Sequence, residues 1–284
     1  MSEGILYVVA TPIGNRDDMT VRAVKVLGEV DLIAAEDTRH SRPLLRHYGI
    51  ATPLMALHEH NEQAVMSRLL ARLEAGERLA LISDAGTPLI SDPGFPLVRE
   101  AIRQGIRVVP IPGVSALICA LSAAGLPVDR FLFAGFPPRH SAQRRHWLAE
   151  LASVQATLVF YESGHRILDS LRDIREVLGP GRRLVIGREL TKLHETFLRG
   201  GVEELLARVS RDDEQRKGEF VFLVAADESP TGPDITLKSE EIMKILADEL
   251  SVKQAAALAA RITGQKKNDL YQRILFIKRG KDVN

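Results

Sequence analysis

Short apolar runs alternate with helix-forming stretches through the first 111 residues, and this alternation most narrows the possible folds. Five runs of four to six residues are rich in aliphatic side chains and lie at residues 5–10, 32–35, 54–57, 79–82 and 107–111. Such runs predict buried strands. The helical stretches between them lie at residues 20–30, 43–48, 65–73 and 96–104. The pattern predicts an α/β fold, with a parallel sheet covered by helices on both faces.

Polar side chains follow these predicted strands. They are Asn15, Glu36, Asp37, Arg39, His58, Glu59, His60, Asp84 and Thr87. The carboxyl ends of parallel strands meet at one edge of a sheet, and ligands of open α/β sheets bind beyond that edge. A cleft at this edge is therefore the functional site that the sequence predicts.

The loop at residues 83–94 reads SDAGTPLISDPG and follows the fourth predicted strand. It contains two carboxylates, two glycines and three hydroxyls, which suits the wall of a binding site. The alternative is a surface turn rich in Gly and Pro. The spacing of its residues alone leaves both interpretations open.

The sequence PGVSA at residues 112–116 predicts a hinge into a second domain, because a very apolar helix follows it and ends at Gly125. Further strands are predicted at residues 131–134, 157–160, 184–186 and 220–224, and helices at 141–151, 166–178 and 202–209. The predicted organisation is an α/β domain at 1–112, an unlike α/β domain at 113–227, a linker at 228–236 and a helical extension at 237–284.

The charge of the chain is unevenly distributed. The whole chain has 38 Lys and Arg against 37 Asp and Glu, a net charge of +1. Residues 251–284 hold eight basic and two acidic residues, which leaves 30 against 35 for residues 1–250. A basic tail predicts a polyanionic partner, although a solvated helix face is the simpler alternative. Helix, Gly turn and basic helix in this tail outline either a helix-turn-helix or a plain α-hairpin.

Several classes of protein are disfavoured by composition. The single Cys119 lies in an apolar helical run, so no disulfide framework or cysteine-based zinc site is expected. No apolar stretch reaches the ~18 residues of a membrane span, and the first residues lack the charged start of a signal peptide. These features predict a cytoplasmic protein.

Familiar cofactor and metal signatures are also missing. Gly14 stands alone where a dinucleotide-binding fold needs G-x-G-x-x-G, and no P-loop string is present. His58, Glu59 and His60 point in different directions on leaving a strand, so no metal site is expected. Ser115 begins a helix after Pro-Gly, which suggests a cap or ligand contact rather than a nucleophile. A cleft of this kind suits a cofactor that brings its own reactive group.

Five segments resemble the tetrapyrrole methylase superfamily, methyltransferases that use S-adenosylmethionine and have two unlike α/β domains. The segments are residues 6–15 (LYVVATPIGN), 34–40 (AAEDTRH), 81–94, 109–116 (VPIPGVSA) and 187–195 (GRELTKLHE). Six strings in order, TPIGN, EDTRHS, SDAGTPLISDPG, FYESGHR, RELTK and RKGE, are similar to one subgroup. That subgroup methylates the ribose 2′-oxygen of a decoding-site cytidine in bacterial 16S ribosomal RNA. The similarity covers nearly the whole chain.

The resemblance implies S-adenosylmethionine between the two domains and a homodimer acting on the small ribosomal subunit. The implied cofactor contacts are Pro12, Ile13, Asp84, Thr87, Pro88, Ile90, Ser115, Ala116 and Leu190. The superfamily loop usually reads G-D-P, and here Thr87 stands where the aspartate is expected. The role of the family's aspartate is therefore not assigned to a single residue of this chain, because Asp84 and Asp92 both lie near Thr87 in the sequence.

Methyl transfer to a ribose hydroxyl requires alignment of the reactants and removal of the hydroxyl proton. The candidate catalytic residues are Glu36, Asp37, Arg39 and Lys192. Asp37 with Arg39 is predicted to position the substrate, and the alternative is a salt-bridged turn at the start of a helix. Glu162 and Arg166 either line the second-domain side or form an i,i+4 ion pair. No single general base is assigned.

RNA needs cationic side chains for its phosphates. The predicted RNA-binding residues are Arg139, Arg144, Arg145, Lys266, Lys267 and Arg273. Two other functions remain as alternatives: methylation of a small tetrapyrrole precursor, and RNA binding without catalysis. The basic tail argues against the first alternative, because a small macrocycle requires no such extension.

Overall fold

The computed structural model of the chain describes residues 3–227, 234–264 and 266–281. The chain divides into two units, the first ending at Ala226 and the second beginning at Asp227. The first unit contains both α/β layers, so the predicted boundary at residues 112 and 113 falls inside one unit and stays a prediction. Within the described ranges, no helix is long and apolar enough to cross a membrane.

Five parallel strands form a sheet in residues 3–111. They are β1 (Ile5–Val9), β2 (Leu32–Ala35), β3 (Leu54–Ala56), β4 (Arg78–Ile82) and β5 (Arg107–Ile111). Their spatial order is β3-β2-β4-β1-β5, and every neighbouring pair is parallel. All five predicted strands are present, and the predicted parallel α/β sheet is confirmed.

Helices cover both faces of this first sheet. They are α1 (Val21–Glu29), α2 (Thr38–His47), α3 (Glu62–Glu74) and α4 (Phe95–Arg103). Leu6 of β1 packs with α3 and α4 in one buried cluster. Val9, which points to the opposite face, packs with α1 and α2 in another. Burial on both faces explains why the strands are continuous apolar runs.

The prediction for α2 was wrong at its start. We expected a helix at residues 43–48, ended by Gly49. The helix begins instead at Thr38, because the Asp37 side chain caps it by accepting a hydrogen bond from Arg39 N at 2.8 Å. Pro43 therefore lies inside the helix. This earlier start places several basic residues on α2.

The second sheet lies in residues 116–224 and is mixed. Its elements are α5 (Ala116–Ala124), β6 (Phe131–Phe133), α6 (Ser141–Leu151), β7 (Thr157–Ser163), α7 (Ile167–Leu178), β8 (Arg183–Arg188), β9 (Thr196–Gly201), α8 (Val202–Arg211) and β10 (Glu219–Val224). The order is β6-β7-β10-β8-β9. Only β6 and β7 are parallel among these described strands. Strand β9 was missed because its sequence, TFLRGG, has little apolar character.

The second unit is a cluster of three helices, α9 (Asp234–Glu249), α10 (Val252–Thr263) and α11 (Lys267–Lys281). Helix α9 begins inside the range predicted as linker, and residues 228–233 lie outside the described residues. Ser251 and Gln254 form a capping box at the start of α10, and Gly264 ends that helix with φ of 71°. Ala255 and Ala259 pack against Leu270, since small residues let helices approach closely.

Candidate active site

A cavity of about 400 Å³ lies between the carboxyl edge of the first sheet and the second sheet. From the first sheet it is lined by Ile13, Glu36, Asp84, Ala85, Gly86, Thr87, Ile90, Ser91 and Asp92. From the second it is lined by Ser115, Ala116, Phe136, Tyr161, Glu162, Ser163, Leu190, Glu219, Phe220 and Val221. The predicted cleft is therefore present, and loops after β1, β2 and β4 form one side of it.

Backbone contacts fix the loop at residues 83–94 against its neighbours. Thr11 and Gly86 exchange two backbone hydrogen bonds of 2.9 and 3.0 Å. Gly86 has φ of 80°, and a Cβ there would lie 3.2 Å from Ile13 Cγ2, so a side chain would be strained and crowded. Thr87 Oγ1 donates to Val114 O at 3.0 Å, which ties the loop to the start of α5. An ionised aspartate at this position could not donate this hydrogen bond, so Thr87 has a structural role of its own.

Backbone strain is concentrated in two loops beside the cavity. Among the described non-glycine residues, positive φ occurs at Leu89 (74°), Ser91 (71°), Glu189 (49°) and Thr191 (65°). Such conformations are costly for residues with side chains and are often found at ligand sites. The two sides are also joined, because Asn15 N donates to Thr191 Oγ1 at 3.1 Å. The cavity walls are therefore held in defined positions.

The cavity is strongly acidic. Its carboxylates are Glu36, Asp84, Asp92, Glu162 and Glu219, and no Lys or Arg of the described chain lines it. Burial raises the pKa of Asp92 to about 6, and the neighbouring charges of Glu36 and Asp84 add to this effect. Burial likewise raises the pKa of Glu36. This concentration of carboxylates favours a cationic ligand.

Glu36 and Asp84 are connected through the backbone at the cavity floor. Asp84 N donates to Glu36 Oε2 at 3.3 Å, and Asp37 N donates to Asp84 Oδ1 at 3.0 Å. These contacts join the ends of β2 and β4. They place the start of α2 directly beside the acidic wall.

Two aromatic rings form the second-sheet side of the cavity. Phe136 follows β6 and is 56% exposed, and its ring lies edge-to-face with that of Tyr161 at a centroid distance of 5.5 Å. Burial raises the pKa of the Tyr161 hydroxyl, so this group stays protonated at neutral pH. An exposed aromatic face at this position is available for stacking on a planar ligand.

Arg166 holds the loop that carries Phe136. Its Nη2 donates to Pro137 O at 2.6 Å and to Pro138 O at 3.2 Å. Its Nε lies 3.2 Å from Oε1 of the buried Glu162, so the predicted i,i+4 ion pair exists. Glu162 also accepts hydrogen bonds from Ser163 N at 2.9 Å and Ser170 Oγ at 2.5 Å. Glu162 both lines the cavity and supports its wall.

Comparison with known proteins identifies the family. The profile of the Tetrapyrrole (Corrin/Porphyrin) Methylases matches residues 5–206, and the profile described as RsmI C-terminal HTH domain matches residues 234–278. Ribosomal RNA small subunit methyltransferase I of Pseudomonas aeruginosa is 55% identical over 276 residues, covering 97% of this chain and 98% of that protein. The chain belongs to the tetrapyrrole methylase family. The equally named protein of Escherichia coli O157:H7 is 54% identical over 95% of this chain and 94% of its own.

Solved structures of other proteins share the fold. Diphthine synthase matches with a TM-score of 0.59 and 14% identity, covering 78% of this chain and 89% of its own. Cobalt precorrin-4 methyltransferase, CbiF, matches with a TM-score of 0.58 and 17% identity, covering 78% and 94%. These matches support the two-layer α/β architecture. The predicted fold class is therefore confirmed.

This methylase is an S-adenosylmethionine-dependent methyltransferase, and its cavity fits that cofactor. The acidic lining complements a sulfonium cation. Apolar contacts for the remaining parts of the molecule come from Ile13, Ala116, Leu190 and Val221. The volume of about 400 Å³ is ordinary for a cofactor site. Backbone at Gly86 approaches the cavity closely because no side chain intervenes.

The cofactor contacts predicted for this methylase are mostly brought together by the fold. The predicted residues that line the cavity are Ile13, Asp84, Thr87, Ile90, Ser115, Ala116 and Leu190. Pro12 and Pro88 are buried instead and do not line it. Their rings shape the loops that carry Ile13 and Thr87. Binding by each of these residues stays a prediction.

The predicted catalytic residues are placed differently from one another. Glu36 lines the cavity, whereas Asp37, Arg39 and Lys192 are not part of its lining. Asp37 pairs with Arg39 at 2.7 Å, and hydrogen bonds from Arg39 hold the pKa of Asp37 well below its usual range. Lys192 Nζ lies 3.0 Å from Glu189 Oε1 and 2.9 Å from Glu219 Oε2. Lys192 therefore reaches the site only through Glu219, and these catalytic roles stay predictions.

The prediction that Arg144 binds RNA was wrong. Arg144 is only 2% exposed, and its Nε donates to Asp173 Oδ2 at 2.6 Å. Its Nη1 donates to Pro138 O and Arg139 O, each at 3.2 Å. This buried arginine fixes the loop before α6 onto α7. It cannot contact a phosphate without leaving the core.

The other predicted RNA-binding residues are accessible in varying degree. Arg145 is half-exposed and pairs with Glu176 at 2.5 Å. Arg139, Lys266, Lys267 and Arg273 are exposed. Lys267 and Arg273 lie on α11, the helix after the Gly264 turn. Their contact with RNA stays a prediction.

Sequence reasoning missed several groups that the fold brings into this site. Phe136, Tyr161 and Glu219 were assigned no part in it, and Asp92 was named only as a neighbour of Thr87. Asp92 lies in a loop already identified, so a second carboxylate there was a usable signal. Phe136 comes three residues after the end of β6, in a loop at a strand end like the others. Glu219 begins β10, and only the antiparallel pairing of β10 with β7 places it at this edge.

Proposed function

We propose that this methylase transfers a methyl group to the ribose 2′-oxygen of a decoding-site cytidine in 16S ribosomal RNA. The observation that carries the proposal is the 55% identity, over 97% of the chain, to a protein named ribosomal RNA small subunit methyltransferase I. That similarity includes the C-terminal helices, which match the profile described as RsmI C-terminal HTH domain. The choice of the ribose oxygen rests on the six sequence strings shared with the subgroup.

The residues around the cavity have separate tasks in this reaction. When bound, S-adenosylmethionine supplies a methyl group made electrophilic by its sulfonium. Glu36, Asp84 and Asp92 stabilise positive charge in the cavity. The Gly86 backbone and the Thr87 hydroxyl keep the loop in place, which limits loss of alignment between donor and acceptor. Phe136 offers a stacking surface for an unstacked base.

The hydroxyl proton of the ribose needs an acceptor within the cavity. Asp92 suits this task best, because its pKa of about 6 makes it a stronger base than an ordinary aspartate while it stays mostly ionised at neutral pH. Asp37 is a weaker base, since its carboxylate is held by Arg39. Asp37 with Arg39 instead positions α2 and the substrate beside it.

Further features of the proposal rest on the resemblance alone. They are a homodimeric state and action on RNA within the small ribosomal subunit. We also propose a cytoplasmic location, as the sequence features predict. The exposed Lys266, Lys267 and Arg273 of the second unit supply charge for such a partner. Methylation of a small tetrapyrrole precursor is supported by the description of the family profile and by structural matches such as cobalt precorrin-4 methyltransferase at 17% identity, which concern the fold alone.

The proposed function is tested by methyl transfer in vitro. Purified protein is incubated with methyl-labelled S-adenosylmethionine and either 16S ribosomal RNA or small subunits from a strain lacking the gene. We expect label in one cytidine of the decoding site, and resistance of the following linkage to alkaline hydrolysis, because a methylated 2′-oxygen cannot attack the phosphate. Label on a base, or on a small tetrapyrrole but not on RNA, would contradict the proposal.

Removal of the second unit is expected to separate cofactor binding from RNA methylation. A chain ending at residue 227 retains the whole first unit, whose internal packing is its own. We expect its affinity for S-adenosylmethionine, measured by calorimetry, to stay within about twofold of the full chain, since no cavity residue is lost. Methylation of RNA should become undetectable. Full activity of the shortened chain on ribosomal particles would show that the extension is not needed.

A further inference from the structure

The acidic cavity presents a problem for an RNA substrate. The phosphates on either side of a target ribose must come close to the cavity mouth, where carboxylates repel them. Arg166 pairs with Glu162 and Lys192 with Glu219, but no Lys or Arg of the described chain lines the cavity beside Glu36, Asp84 and Asp92. A cationic surface beside the mouth would supply the missing attraction, and helix α2 carries one.

Helix α2 begins at the cavity wall. Glu36 lines the cavity, and α2 starts two residues later at Thr38. Its capping residue Asp37 donates its backbone N–H to Asp84 Oδ1 at 3.0 Å, and Asp84 also lines the cavity. The first turn of α2 is thus fixed against the acidic lining. The rest of the helix extends away from that point.

Three arginines form a row along one face of α2. Arg39, Arg42 and Arg46 are spaced three and then four residues apart, which places them on the same side of a helix. All three are exposed, and Arg39 is 89% exposed. Ser41 and Leu45 are buried on the opposite side. At a rise of 1.5 Å per residue the row is about 10 Å long.

The row is not neutralised within the helix. The sequence of α2, TRHSRPLLRH, contains no Asp or Glu. Arg39 pairs with Asp37, but neither Arg42 nor Arg46 forms an ion pair among the described residues. A merely solvated helix face usually interleaves acidic and basic residues at i,i+4. Many other exposed arginines of the first unit have such partners, for example Arg103 with Glu100 and Arg172 with Asp169.

We propose that the Arg39–Arg42–Arg46 face of α2 binds the phosphate backbone of the RNA strand whose ribose enters the cavity. This inference rests on the proposed function and names a contact surface for its substrate. Arginine suits the task because its planar group donates two parallel hydrogen bonds to a phosphate. Arg39 and Arg42 lie nearest the cavity, so phosphates next to the target nucleotide contact this end. Arg46, one turn farther, contacts the strand as it leaves.

The test compares a double variant with a matched control. Arg42→Gln/Arg46→Gln removes two charges while keeping helix propensity. Arg107→Gln is the control, because Arg107 is exposed, has no ion pair among the described residues and begins β5, at the sheet edge opposite the cavity. Steady-state methylation of 16S ribosomal RNA is measured across a salt series for each variant. The affinity for S-adenosylmethionine is measured by calorimetry to confirm folding.

For the double variant we expect the KM for RNA to rise about tenfold, with kcat and cofactor affinity unchanged. The dependence of log KM on log salt should become shallower by about 0.7 for each arginine removed. Arg42→Lys/Arg46→Lys should keep most of the salt dependence, since the charges remain. Arg107→Gln should behave like wild type.

Two outcomes would overturn the inference, and they differ. If wild type methylates the RNA but the double variant keeps the wild-type KM and salt dependence, α2 is not the contact surface and the proposed function stands. If wild type transfers no methyl group to RNA, the proposed function fails and this inference fails with it. If Arg42→Gln/Arg46→Gln unfolds, Arg42→Lys/Arg46→Lys is compared with the single variant Arg42→Gln instead. A shallower dependence of log KM on log salt in Arg42→Gln than in the Lys variant would support the inference, and equal slopes would overturn it.

Discussion

Replacement of Asp92 by Asn is expected to lower the rate of methyl transfer by about 10²–10⁴-fold, the usual contribution of a general base. Asn has nearly the same shape but accepts a proton very poorly. Asp92 lines the cavity, and burial raises the pKa of its carboxyl group to about 6. The measurement is the single-turnover rate with saturating RNA and S-adenosylmethionine, which isolates the chemical step.

The same residue predicts the pH dependence of the reaction. Only the ionised carboxylate accepts a proton, so the wild-type rate should fall as the pH decreases through about 6. The Asn variant should retain a low rate without that step. Glu36→Gln is the matched comparison, because Glu36 also lines the cavity and burial also raises its pKa. If Glu36→Gln abolishes the fall in rate at low pH and Asp92→Asn does not, the general base is Glu36.

The Tm of the Asp92→Asn variant shows whether its loss of activity comes from a lost general base or from structural damage. The native protein binds the Asp92 proton more tightly than the unfolded chain, since its pKa is raised from 3.8 to about 6. The native state therefore loses stability as the pH rises through this window, and above it the penalty is complete. Asp92→Asn removes that penalty, so the Tm at pH 8 should be equal to or above that of wild type. A variant both inactive and less stable would indicate a structural role.

The first sheet could be predicted well because its physical signal is local. Strand β2 is four residues long and each of them is buried. A short, fully apolar run of this length is typical of a buried parallel strand, so the sequence predicts it directly. The loops after β1, β2 and β4 follow from the same fact, since parallel strands send their carboxyl ends to one edge. Most predicted cofactor contacts lie at that edge for this reason. The family resemblance added Leu190, which comes from the second sheet.

The remaining features depend on contacts between distant residues. Glu219 reaches the cavity only because β10 pairs antiparallel with β7. An apolar run in the sequence predicts a strand but does not indicate whether that strand runs parallel or antiparallel to its neighbour. The sequence of α6 contains two adjacent arginines, and helical periodicity alone did not show which one faces the core. Asp173, the partner that decides the matter, lies 29 residues from Arg144. Position in space, and not composition, separates a buried arginine from an RNA-binding one.

Replacement of Arg144 by Met is expected to lower the free energy of unfolding by about 3–5 kcal/mol, because it leaves Asp173 charged and buried without its partner. Ser141 Oγ donates to Asp173 Oδ1 at 2.7 Å and Arg145 Nε lies 3.9 Å from the same oxygen, but a neutral donor and a more distant, half-exposed arginine do not replace the buried arginine. Urea denaturation measures the change. The control is Arg172→Met, which removes an exposed arginine paired with the exposed Asp169 and should cost only about 0–1 kcal/mol.

A second substitution distinguishes a buried ion pair from lost packing. Arg144→Met/Asp173→Leu removes both charges, so it should recover most of the stability lost in the single variant. The Ser141 hydroxyl is left with water, which is available near the start of α6. If the double variant is no more stable than Arg144→Met, packing of the arginine stem would account for the loss.

The salt dependence of the KM for RNA also distinguishes a structural role of Arg144 from a role in RNA binding. A phosphate contact contributes about 0.7 to the slope of log KM against log salt, and its removal lowers that slope. Arg144 contacts Asp173 and the carbonyls of Pro138 and Arg139, so the Arg144→Met/Asp173→Leu variant should keep the wild-type slope. Its kcat should nevertheless fall, because the loop carrying Phe136 loses two of its anchoring hydrogen bonds. A reduced slope with unchanged kcat would return Arg144 to the RNA-binding surface.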